Sequence, residues 1–84
     1  MINEADFNKI KDEVKQLVSK IIEVPEEKIR EDAKFIEDLG VDSMKAIEIV
    51  ASIEKKYRVI IPEADIPKAR SLNDTYDLLK ELMK

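Results

Sequence analysis

With 84 residues, 44% of them hydrophobic, the chain has enough material for one domain with one core, expected to span residues 1–84, and no room for a second. Basic residues (15) and acidic residues (19) are interspersed, giving a net charge of -4 with no basic face, so nucleic acid is not an expected partner. The absence of Cys, His and Trp excludes disulfides, zinc sites built on thiolate or imidazole, thiol nucleophiles and Ser/His or Cys/His dyads.

No apolar run reaches the ~18 residues of a membrane span. Met1-Ile2-Asn3-Glu4 also lacks the basic and apolar regions of a signal peptide. A cytoplasmic, monomeric protein without stable membrane insertion is therefore expected.

Phe7, Ile10, Val14, Leu17, Val18 and Ile21 recur at three- and four-residue steps, the spacing of one helix face. Asn3 is the expected cap of this first helix, with Asp6 at the third helical position and Ile2 placed to pack on Phe7 as a staple. From Ile22 to Val41 the period fades and Pro25 interrupts, which predicts a long connection with at most a short helical turn around Glu26 to Asp32. Ile29, Phe35, Ile36 and Leu39 are expected to pin that connection to the core. Gly40, the only glycine, is free to take a positive φ before the next helix.

Asp42 is the expected cap of a second helix running from Ser43 to about Tyr57, with Ala46, Ile47, Val50, Ile53 and Tyr57 as its buried face. An extended stretch, Val59-Ile60-Ile61, leads to Pro62. A short third helix follows, restricted by Pro67 to about one turn on either side. Ser71 then caps a last helix, with Leu72, Tyr76, Leu79, Leu82 and Met83 on one stripe. One short apolar run from Tyr57 to Ile61 makes no sheet. The fold class is thus all-α: a small four-helix bundle with a long loop between the first and second helices and a short third helix.

Chemistry concentrates in Asp38-Leu39-Gly40-Val41-Asp42-Ser43-Met44. Ser43 stands one residue after a helix cap, where its hydroxyl is expected to be exposed, and the free N–H groups and positive dipole end of a helix favour a phosphate ester there. An Asp-Ser pair at a helix start is, taken alone, ordinary capping. The paired carboxylates Glu26/Glu27, Glu31/Asp32 and Glu37/Asp38 read as exposed loop charges, because adjacent side chains point in different directions.

Leu39-Gly40-Val41-Asp42-Ser43-Met44 resembles the mark of the acyl carrier protein family, a D-S-L tripeptide preceded by an L-G turn. The resemblance extends through Phe35-Ile36-Glu37-Asp38, the helix after Ser43, the Tyr57 to Pro62 exit and the final helix, covering nearly the whole chain. It implies a non-catalytic carrier that holds acyl groups as thioesters on 4'-phosphopantetheine, with Ser43 esterified by a phosphopantetheinyl transferase that draws the arm from coenzyme A. Asp42 would then cap and position the segment, and Gly40 would let the backbone turn sharply. Partners would be acyl-loading and acyl-processing enzymes of fatty acid, polyketide or lipid synthesis.

Opposite the core face of the second helix lie Met44, Glu48, Ala51 and Lys55, flanked by Lys45, Ser52 and Lys56. The family surface at this place is typically rich in carboxylates. Met44 and Glu48 agree with that scheme and the lysines depart from it, either as solvated charges, some paired with Glu48 or Glu54, or as selectors of partners. Ile47, Val50, Ile61 and Leu79, with Phe35, are candidates to contact an acyl chain and equally expected as core. Two alternatives remain at this point: a peptidyl or amino-acyl carrier of the same fold, and a helical interaction module with no prosthetic group. A Ser43 enzyme using Lys45 or Lys56 as base is poorer, because those lysines point away from the serine.

Overall fold

In the computed structural model, which describes residues 3–83, helix α1 spans Glu4–Ile22. The Asn3 side-chain oxygen accepts the Asp6 N–H at 2.8 Å, removing one of the four unpaired donors at the helix start. Ile2, the proposed staple residue, lies outside the described residues. Phe7, Val14 and Val18 are buried, with Ile10, Leu17 and Ile21 packed partly buried beside them. The helix ends on Glu23, which adopts the left-handed conformation at φ 58°.

The connection that follows holds one 3-10 turn, Glu26–Lys28, as the mixed-charge segment suggested. Ile29, Phe35 and Val41 anchor it in the core, and Leu39 packs partly buried against them. Ile36 does not join them: it is 53% exposed. The backbone explains the difference, since the N–H groups of Asp38 and Leu39 both donate to the Lys34 carbonyl. That tight turn sends Phe35 inward and its neighbour out.

Helix α2, Ser43–Tyr57, packs against α1. Its buried residues are Ile49, Val50 and Ile53. Ile47, expected on this face, is 61% exposed. At ~100° per residue, the centre of the stripe formed by Ala46, Ile49, Val50, Ile53 and Tyr57 lies about 100° from Ile47, which therefore stands on the flank. The Tyr57 hydroxyl donates to Glu13 Oε1 at 2.8 Å and ties α2 to α1; partial burial and that carboxylate both hold the phenol well above its ordinary pKa.

After α2 the chain runs extended, with Ile61 buried and Ile60 82% exposed. Glu54 fixes this exit by accepting the Ile61 N–H at 2.8 Å. The short third helix is a 3-10 helix, Glu63–Lys68, that contains Pro67. Its turns close through Asp65 N–H to the Pro62 carbonyl and Ala69 N–H to the Ile66 carbonyl, so the missing donor of Pro67 interrupts neither. Helix α3, Leu72–Leu82, is capped by Ser71 Oγ, which accepts the Asp74 N–H at 3.2 Å. Leu72, Thr75, Tyr76 and Leu79 are buried, and the Thr75 hydroxyl is satisfied by donating to the Ser71 carbonyl. Among the described residues there is no strand, and no helix is long and apolar enough to cross a membrane. The architecture is a small all-α bundle with a long loop between α1 and α2.

Candidate functional site

The start of α2 is shaped from both sides. Val41, buried at 5% exposure, donates its N–H to the Phe35 carbonyl, and Phe35 donates its own to the Arg70 carbonyl, both at 2.8 Å. The Lys34 N–H donates to Asp38 Oδ2 at 2.9 Å and closes the turn from within. Gly40 sits at φ 68°, the left-handed region where a side chain is strained. A β-carbon built on it would meet nothing within 4 Å, so backbone conformation rather than space calls for glycine. The chain thereby reverses between the buried Phe35 and Val41 and enters α2 with its first residues in solvent.

Asp42 occupies the cap, its Oδ1 accepting the Lys45 N–H at 2.8 Å. Asp42→Ala is expected to lower stability by about 1 kcal/mol, with Asp42→Asn nearly neutral; urea denaturation of the three proteins checks this. Ser43 is the first helical residue and is exposed. Of the four serines it alone is exposed: Ser19 Oγ donates to the Val24 carbonyl, Ser71 is buried in its capping role, and Ser52 is half-buried. The N–H groups of Ser43 and Met44 belong to the first turn and have no intrahelical acceptor, so two donors and the positive end of α2 flank the hydroxyl.

Apolar surface surrounds this hydroxyl. Met44 is 78% exposed, and a groove of about 420 Å³ runs beside Ser43, lined among others by Phe35, Ile36, Ala46, Ile47, Ile66 and Pro67. Ile47 stands one turn beyond Ser43 on this groove, while Val50, Ile61 and Leu79 lie in the core and do not line it. Lys45, Glu48, Ala51 and Lys55 are all exposed along α2. Ion pairs with Glu48 or Glu54 are not formed: among the described residues the pairs join Lys15 to Glu31, Arg30 to Asp32 and Lys68 to Asp65. Sequence reading did not single out Ile36, Ile66, Pro67 or Arg70 as site residues, because nothing periodic marks which way loop and 3-10 side chains point.

Comparison with known proteins agrees with this geometry. Residues 12–79 match the family model described as phosphopantetheine attachment site. A relative named polyketide-8 synthase acyl carrier protein 2, from Streptomyces avermitilis, is 39% identical over 69 residues, covering 82% of this chain and 79% of the relative. Acyl carrier proteins from Campylobacter lari (36% over 73 residues; 87% and 95%) and Wolinella succinogenes (35% over 63 residues; 75% and 83%) are similar over much the same span. The chain belongs to the acyl carrier protein family of phosphopantetheine-bearing carriers. Its prosthetic group is 4'-phosphopantetheine, and the exposed hydroxyl, free amide donors and apolar groove at the start of α2 suit such a group.

Proposed function

We propose that Ser43 is the attachment residue, and that residues 1–84 act as one carrier domain without catalysis of its own. The observation that carries the assignment is the exposed Ser43 hydroxyl at the first position of α2, with no hydrogen-bond partner among the described residues. When bound, 4'-phosphopantetheine supplies the thiol on which acyl groups are held as thioesters.

This chain's residues do the rest. Ser43 Oγ would hold the phosphate ester, the N–H groups of Ser43 and Met44 would favour its negative charge, and Asp42 keeps that turn wound. Met44, Lys45, Glu48, Ala51 and Lys55 form the surface that a phosphopantetheinyl transferase and the acyl-processing enzymes would meet. Relatives named as acyl carriers, one of a polyketide synthase, favour acyl cargo of fatty acid or polyketide type over amino-acyl cargo. A cytoplasmic setting accords with such partners.

Incubation with coenzyme A and a broad-specificity transferase tests the reading. Intact mass should rise by one phosphopantetheine per chain, mapped by peptide analysis to residue 43. A folded chain that stays unmodified would overturn the assignment and leave a helical interaction module in its place.

A further inference from the structure

Positive charge is unevenly placed on this molecule. Residues 42–58, α2 with its two caps, carry Lys45, Lys55, Lys56 and Arg58 against Asp42, Glu48 and Glu54, a net charge of +1; the rest of a chain of net -4 therefore carries -5. All four cations are exposed. None takes part in the ion pairs between described residues, and Glu54 spends an oxygen on the Ile61 N–H.

Helix stability accounts for only part of this pattern. Lys55 and Lys56 lie in the last turn, where cations complement the helix dipole. Lys45 lies in the first turn, where the dipole disfavours a cation and where α2 has no acidic residue at all. A residue that works against its own helix, two positions from Ser43, points to a demand from outside the fold.

That demand follows from access. An enzyme that receives the arm rooted at Ser43 meets the surface around the start of α2, whose exposed side carries Lys45 and Lys55, and Lys55 lies about 18 Å from Ser43 along the axis. A contact of ordinary size, about 800 Å² per partner, reaches that far. Resting on the carrier function proposed above, we infer that α2 docks on acyl-processing enzymes whose docking face is acidic, with Lys45 and Lys55 as the residues that select them. Like charge across the contact would disfavour enzymes with a basic face.

The test uses wild type and Lys45→Glu/Lys55→Glu, each converted fully to the phosphopantetheine form and checked by mass. Two acyl-processing enzymes of the same chemistry are compared, one with an Asp/Glu-rich rim around its active-site mouth and one with a Lys/Arg-rich rim. Wild type is expected to give kcat/KM at least ~10-fold higher with the acidic-rimmed enzyme, falling as NaCl is raised. The double variant should reverse both the preference and the sign of the salt effect, while its melting curve stays near wild type, because the glutamate that suits the first turn offsets the one that replaces a favourable lysine in the last turn. Kinetics indifferent to the substitutions, or a wild-type preference for the basic rim, would overturn the inference alone. Failure of wild type to take the prosthetic group at all would instead sink the function on which it rests.

Discussion

Ser43→Ala is expected to abolish addition of the prosthetic group completely while leaving the folded molecule as stable as before. The hydroxyl makes no hydrogen bond to the described residues and Ser43 is exposed, so removing one oxygen should change unfolding free energy by no more than about 0.5 kcal/mol. Alanine is also a good helix former at this position. Intact mass after transferase treatment reads the first effect and a thermal melt the second. Modification persisting in the variant would move the site elsewhere, yet Ser19 and Ser71 have their oxygens committed to backbone partners. Complete loss with an unchanged melt would separate a chemical role from a structural one.

Phe35→Ala is expected to produce the largest loss of stability, about 3–5 kcal/mol, because it empties a buried aromatic site beneath the long loop. Phe35 is 3% exposed, and its backbone groups join Arg70 on one side to Val41 on the other. For a domain of this size each 1 kcal/mol lowers the melting temperature by roughly 4–8 °C, so the transition should fall by more than ~10 °C. Ile36→Ala, one residue away, should change stability by less than about 0.5 kcal/mol, since that side chain is half in solvent. Chemical denaturation of the two variants distinguishes them. Equal effects would mean that the loop is not seated on Phe35.

Much of this molecule was legible in its sequence because short-range chemistry governs the parts concerned. The three caps, Asn3, Asp42 and Ser71, each require a small polar side chain and an N–H three residues on, and all three bonds are present. The 3.6-residue period likewise located three α-helices, and Gly40 marked the positive φ. Choices among similar side chains were not legible. Helix α2 carries aliphatic residues at 47, 49, 50 and 53, so more than one stripe satisfies the period, and packing on α1 selects Ile49 over Ile47. Ile36 was misplaced for a related reason: in a loop only the hydrogen bonds to Lys34 and Arg70 decide which neighbour turns inward. The apolar lining near Ser43 was hidden by the same two ambiguities, as Ile36 and Ile47 are the residues that left the core to form it.

The outward placing of Met44, Ile47 and Ile36 has a kinetic consequence. A helix of 15 residues is only about 22 Å long and offers a contact of no more than ordinary size, led by a handful of apolar side chains. Complexes of that kind separate readily: with a Kd of about 10 μM and an association rate near 10⁶ M⁻¹ s⁻¹, a visitor leaves roughly ten times each second. A molecule that must pass its load from one host to the next needs such brief residence, and a few unburied aliphatic side chains supply grip without permanence.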